Sequence, residues 1–455
     1  MLNTAFSSKS YQVIDVPSNK IIPLALLGIL LLSIAAFPMS ISSVAEDAQL
    51  GLPDGVDLCI PVEDSGLVDE RLSSLGNIRY VESLEGCEVL VVGEGYLSKA
   101  ANTVYEQLAS RLACDEGFVI VIDGANELRC AFLEALFEAL DANGLRMPVM
   151  PIENATADKT SYSIHPMLYS ADIVAISFKP YGFTVIEEKT DTACDVAFAV
   201  NNYLEDKLLY APGGIKTGAG TRMNPAVCVS PTSIEEEPPE GTTFIGSIGW
   251  KSTITYGMFG EPMGRLQARV QYYYCNATTA EGTFKFFFAY VQHWAMGFGY
   301  LGLFNYNPHI FYTTTDWNTD TYSDQVVQDW GPKNSGSNSV ITYGVSVGVS
   351  GQTPTASASI TYSVPGGLLI AWWDQGDPAD GLAKTKHYIK DTLIDQPYTV
   401  EPSSTGFLDP EIGGAEPMVV CHEFWTDYGY SFYLINIDIS FGANLYGNDV
   451  DEIEP

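Results

Sequence analysis

GRLQARVQYYYCNA at residues 264–277 and TFKFFFAYVQHWAMGF at 283–298 set the character of the second half of this chain. Both are crowded with aromatic and β-branched residues and bounded by Gly, Asn and Thr, which suits strands packed on a pleated surface. GLLIAWWDQ (367–375) and YSFYLINIDISF (430–441) have the same composition. Residues 244–446 are therefore expected to form an all-β domain, a sandwich with aromatic-rich strands and one long hairpin. It is interrupted by the loop-like interval 395–417 and followed by an acidic tail, 447–455.

Upstream the pattern differs. CEVLVVGEGYLS (87–98), FVIVIDG (118–124), MPVMPI (147–152) and ADIVAISF (171–178) are apolar runs. They alternate with segments of helical spacing at 99–117, 127–144 and 191–209. Apolar strands alternating with helices predict a parallel sheet covered on both faces. Residues 75–212 are accordingly expected to be a small, Rossmann-like α/β domain, joined to the β domain by the proline- and acid-rich linker 229–243. A chain of 455 residues has room for two such domains.

Residues 21–45, IIPLALLGILLLSIAAFPMSISSVA, carry no charge and follow the flank 1–20 with Lys9 and Lys20. The stretch fits either a transmembrane anchor or a signal peptide cut after Ala45, with 46–74 as a linker. Either reading places the remainder outside the cell or at its surface. The chain has 56 acidic against 22 basic residues, a formal net charge of -34. That field repels phosphate backbones and excludes nucleic acid as a partner. Eight cysteines without CxxC spacing suggest disulfides in an oxidising compartment. Cys275 and Cys421 are the two beyond the linker and are expected to pair. Asn154 and Asn276 open the glycosylation sequons NAT.

No catalytic set emerges from the spacing. Gly93-Glu94-Gly95 before Ser98 has the context of a dinucleotide fingerprint. Ser98 at the third small position and Glu94 facing the phosphates favour a plain turn with Ser98 as helix N-cap. Gly344-Val345-Ser346-Val347-Gly348 matches a nucleophile elbow but lies in a strand pattern with no helix after it. The five histidines are scattered. Asp374, Asp377 and Asp380 are spaced like calcium ligands without the later Gly and Glu, so calcium is the one cofactor entertained. The aromatics suit a core, a sugar platform or an interfacial belt. A carboxylate-dependent secreted hydrolase stays as an alternative, because paired acids show themselves only in space.

The unusual segment is ITYGVSVGVSGQTPTASASITYSVP, 341–365, within an interval free of charge from Lys333 to Asp374. Tyr343, Val345, Val347 and Val349 alternate with Gly and Ser, as Ile360 and Tyr362 do with Thr and Ser beyond the turn. This predicts a hairpin with one apolar and one hydroxyl face, its arms long enough to cross a bilayer at a tilt. Residues 331–374 resemble the stem of leukocidin- and haemolysin-type β-pore-forming toxins. The resemblance implies a β-barrel pore into which this hairpin inserts. The overall layout is also similar to that of archaeal surface proteins. The sequence alone favours an exported, non-enzymatic surface protein that binds glycans or other surface proteins, or self-assembles, with pore formation as the alternative.

Overall fold

The computed structural model describes residues 52–446, apart from 100–105, 111–116, 153–166, 211–241, 254–262, 364–369, 409–416 and shorter intervals, among them 342–345 and 358–361. The first strands are β1 (Leu58–Pro61), β2 (Ile78–Val81), β3 (Val89–Val92), β4 (Phe118–Ile122), β5 (Val149–Ile152), β6 (Ile173–Ser177) and β7 (Gly182–Ile186). Then come β8 (Thr243–Thr253), β9 (Gly264–Thr279), β10 (Gly282–Gly297), β11 (Gly299–Tyr300), β12 (Phe304–Asn305), β13 (Asn307–Asp316) and β14 (Gln325–Gly331). Five short strands follow: β15 (Gly336–Asn338), β16 (Val340–Ile341), β17 (Ser346–Ser350), β18 (Thr353–Ser357) and β19 (Tyr362–Ser363). The last six are β20 (Ile370–Asp374), β21 (Leu382–Ile389), β22 (Pro397–Val400), β23 (Ser403–Leu408), β24 (Met418–Tyr430) and β25 (Tyr433–Leu445).

Twelve strands make one mixed sheet, ordered β14-β23-β10-β9-β8-β7-β6-β4-β3-β1-β2, with β22 also on β10. Seven make a second sheet, β15-β20-β21-β13-β24-β25-β5. The Rossmann-like α/β expectation for 75–212 is corrected by this topology. Among the described strands, β2, β3 and β4 run parallel with β1 between β2 and β3, and β6 is antiparallel to β4 and to β7. β5 leaves for the edge of the other sheet, antiparallel to β25. β7 pairs with β8, so the large sheet runs on into the long strands of the second half. Among the described residues, helices longer than four residues are Glu94–Lys99, Asn126–Ala142 and Thr192–Tyr210, and the molecule is predominantly β. An apolar run such as FVIVI fixes burial on both faces but says nothing about strand direction.

The two sheets pack face to face over one continuous core. Val270, Tyr272, Phe287 and Val291 of the large sheet meet Phe311, Val420 and Phe424 of the small one, and the same core extends to Phe132 and Leu136 of helix Asn126–Ala142. Each fully buried aromatic contributes roughly 2–3 kcal/mol. Helix Thr192–Tyr210 covers the other face of the large sheet through Val196, Ala199, Val200 and Tyr203. Polar contacts fix its position. Asp195 pairs with Lys251 of β8, and Glu205 and Asp206 pair with Arg269 of β9. Ser247 and Gln271 donate to Asp206 as well. Burial raises the Glu205 and Asp206 carboxyls, against the pull of Arg269.

Candidate functional site

The neutral segment is a hairpin. Val340 pairs with Ser363 and Ile341 with Tyr362; nearer the tip, Ser346 pairs with Ser357, Val347 with Ala356, Gly348 with Thr355, Val349 with Pro354 and Ser350 with Thr353. The two ladders count in the same register, 340 with 363 and 350 with 353, and the residues between them, 342–345 and 358–361, lie outside the described residues. Val340 opposite Ser363 aside, apolar positions stand opposite apolar ones, and hydroxyl-bearing or glycine positions opposite their like. With side chains alternating along each strand, the register gives one face of each kind. Val347, Val349 and Tyr362 thus occupy described strands, whereas Tyr343, Val345 and Ile360 lie outside the described residues.

The edges of both sheets frame the hairpin. β14, at the edge of the large sheet, leads towards β15, which pairs with β20 at the edge of the small one. The base pair of the sheet edge is Asn338–Ile370 and the first pair of the hairpin is Val340–Ser363. The returning arm β18 packs against β14 and β9 of the large sheet. Strand β18 of the neutral segment therefore lies against the body of the molecule.

Between the sheets, beside this edge, lies a layer of buried polar side chains. His293 of β10 bonds Thr313 Oγ1 through Nδ1 (3.1 Å) and Thr426 Oγ1 through Nε2 (2.8 Å). His422 of β24 meets the Tyr272 hydroxyl at 2.9 Å and Thr315 Oγ1 at 3.1 Å. His387 of β21 is equally buried. Burial drives all three imidazoles down to about 3, and at His293 the neighbouring His387 adds to the effect. They are neutral at pH 7, and His293 and His422 link the sheets by hydrogen bonds. Sequence spacing missed this layer because its members come from five strands far apart in the chain. The local signal is parity: Thr385 and His387, or His422 and Thr426, share the inward face of their strands.

The remaining candidates are placed as follows. Asp64 Oδ2 accepts from Gly93 N (2.6 Å) and Asp64 Oδ1 from Tyr96 N (3.0 Å), so a carboxylate of the chain itself fills the position that a pyrophosphate would take. Gly95 is required by that contact, since a Cβ there would lie 2.6 Å from Asp64 Oδ1. Ser98 lies inside the helix, donating to Gly95 O, and the N-cap expectation for it is corrected. Ser346 stands opposite Ser357 in a ladder, not on a strand-to-helix elbow.

Asp374 accepts from Trp330 Nε1 and Gly376 N, both at 2.9 Å, and Asp377 caps the short turn Pro378–Asp380 through Ala379 N. Among the described residues no group of three or more His, Cys, Asp or Glu is placed to hold a metal ion. Asn276 is exposed on β9 and accepts from the Tyr274 hydroxyl; Asn154 lies outside the described residues.

The expected Cys275–Cys421 bridge is not formed. Cys275 is a free thiol on the outer face of the large sheet, among Tyr273, Phe286 and Phe288. Cys421 alternates with the inward His422 on β24 of the other sheet, so the two sulfurs point away from each other across the core. Cys194 is disulfide-bonded. Arg79 Nη2 donates to Cys59 Sγ at 3.1 Å and to Cys87 Sγ at 3.7 Å.

No family model and no curated protein matches the chain. A solved structure of a pore forming protein is similar over 47% of this chain and 94% of the other, at 10% sequence identity and a TM-score of 0.26. A likeness that loose carries no argument about fold or function.

Proposed function

We propose that this is an exported, surface-located protein whose hairpin 340–363 crosses a lipid bilayer as one unit of a β-barrel pore built from several copies. The observation that carries this reading is the single register of an uncharged hairpin with one apolar and one hydroxyl face. Eleven residues extend for about 35 Å and, at a tilt of ~40°, span about 27 Å, close to the ~25 Å apolar band of a transmembrane barrel. An Arg or Lys at the midplane of such a barrel costs ~2–4 kcal/mol, and an Asp or Glu less. The interval from Lys333 to Asp374 contains none. In a barrel, the face of Val347 and Val349 meets lipid, and the face of Ser346, Gly348 and Ser350 lines the lumen.

The packing of β18 on β9 and β14 is, in this reading, the stored form of the hairpin. Release requires that the contacts of β18 with β9 and β14 yield, while the long strands hold the rest of both sheets. Segment 21–45 supplies export or anchorage, and assembly among copies is the binding role of the β-rich half. Release of dye trapped in phosphatidylcholine vesicles tests the reading. The wild-type chain is expected to empty the vesicles, and intact vesicles at saturating protein contradict it.

A further inference from the structure

The outer face of the small sheet carries a lateral row of aromatic and charged side chains. Trp373 of β20 stands opposite Lys386 of β21, Lys386 opposite Tyr312 of β13, Tyr312 opposite Trp425 of β24, and Trp425 opposite Asp438 of β25. Lys386 Nζ lies 5.0 Å from the Tyr312 ring centroid and 5.6 Å from that of Trp373. The Tyr312 and Trp425 rings stack at 4.7 Å, and Trp425 Nε1 donates to Asp427 at 3.0 Å. One step along, Tyr388 stacks on His309 at 6.3 Å. Trp373 is 40% and Tyr388 37% exposed, large values for aromatic rings on a sheet whose other face is fully packed.

Two features of this patch indicate its occupant. Lys384 and Lys386 bring two cations onto this face of a chain whose net charge is -34, and Lys390 beyond them lies 3.9 Å from Asp391. The carboxylates Asp427 and Asp438 stand at the far end of the row, so its positive part is next to β20. β20 is also the strand into which the neutral hairpin returns, and it pairs with β15, from which the hairpin departs. Trp and Tyr rings partition to the headgroup layer of a bilayer, and a lysine that lies along them presents its ammonium to phosphate.

We propose that the Trp373–Lys386–Tyr312–Trp425 row, with Tyr388, is the surface by which the protein docks on the headgroup layer of a phospholipid bilayer, holding the root of the hairpin at the interface. The proposal rests on the bilayer reading of the hairpin and concerns an earlier step. Cosedimentation of the full chain with phosphatidylcholine vesicles tests it, with dye release read in parallel. The double variant Trp373→Ala/Tyr388→Ala removes the two most exposed rings. Its vesicle affinity is expected to fall at least tenfold with its thermal midpoint kept, and Lys386→Glu is expected to weaken binding in the same direction.

Unchanged affinity in both variants overturns the docking surface. So does a wild-type chain that binds no vesicles, or one whose aromatic row proves to hold soluble oligosaccharides while vesicle binding survives the double variant. Binding that depends on the row without dye release contradicts the hairpin reading and leaves docking in place. Dye release with affinity independent of the row does the reverse.

Discussion

Acidification should weaken the contact between the two sheets, and His293 is the place to measure it. Its ring is fully buried between Phe311 and Phe424, bonded on both nitrogens to threonines, and held neutral down to about 3. In the unfolded chain an imidazole takes up its proton near 6.5. The folded-state value is the lower one, so the unfolded state binds the extra proton, and stability present above pH 6.5 is lost progressively from there down to about pH 3. Each pH unit in that window costs ~1.4 kcal/mol per histidine, or about 2 kcal/mol at pH 5. His387 and His422 share the same shift, and the three together cost about 6 kcal/mol at pH 5, comparable with the whole stability of many domains.

Glu205 and Asp206, whose carboxyls burial raises, act in the opposite direction as pH falls. The informative quantity is therefore a difference between variants. Urea unfolding of wild type and His293→Gln, followed by tryptophan fluorescence at pH 7.5 and pH 5, should give a loss about 2 kcal/mol smaller in the variant, roughly a thirtyfold difference in the unfolding constant. Gln keeps a donor and an acceptor for Thr313 and Thr426 but does not titrate. Equal losses in the two proteins would mean that protonation of His293 contributes nothing to the acid sensitivity.

Other consequences are as direct. Gly95→Ala places a Cβ 2.6 Å from Asp64 Oδ1 and 2.7 Å from Glu63 O, and the chain must shift to admit it. A destabilisation of ~1–3 kcal/mol is expected in thermal or urea unfolding. Lys251→Met strands the buried Asp195 carboxylate beneath helix Thr192–Tyr210 and should cost ~3–5 kcal/mol, with much of the loss recovered in the double variant Lys251→Met/Asp195→Leu. Cys275, buried and with its thiol pushed up to about 11, should alkylate at pH 8 at least ~100-fold more slowly in the folded protein than in urea, as read by peptide mass spectrometry.

The hairpin was legible in the sequence because period-two alternation and the absence of charge are local properties, and the observed register matches apolar positions to apolar positions as the alternation implies. The strands 118–122 and 173–177 were legible as doubly buried for the same reason. Their directions were not, since the antiparallel arrangement of β4, β6 and β7 is set by partners and connections rather than by composition. That is why a Rossmann-like domain was expected where half of a continuous mixed sheet stands. The helix 191–209 was legible too, but its Asp195, Asn202 and Asp206, spaced seven and four apart on an otherwise apolar face, were a missed sign of charged partners beneath it. Those partners, Lys251 and Arg269, lie more than forty residues downstream. The inter-sheet histidines were invisible for a similar reason, being separated in sequence and joined only by sheet packing.

Entry of hairpin 340–363 into a bilayer is measured by dye release from phosphatidylcholine vesicles with wild type, Val347→Asp and Val349→Asp. A carboxylate on the lipid face of a barrel is costly, whereas a hairpin that stays on the body of the protein has no such requirement. Release by wild type and its loss in both variants are expected, with vesicle binding and thermal midpoint retained. Release that survives both substitutions, or a wild-type chain that binds vesicles and leaves them sealed, contradicts that entry.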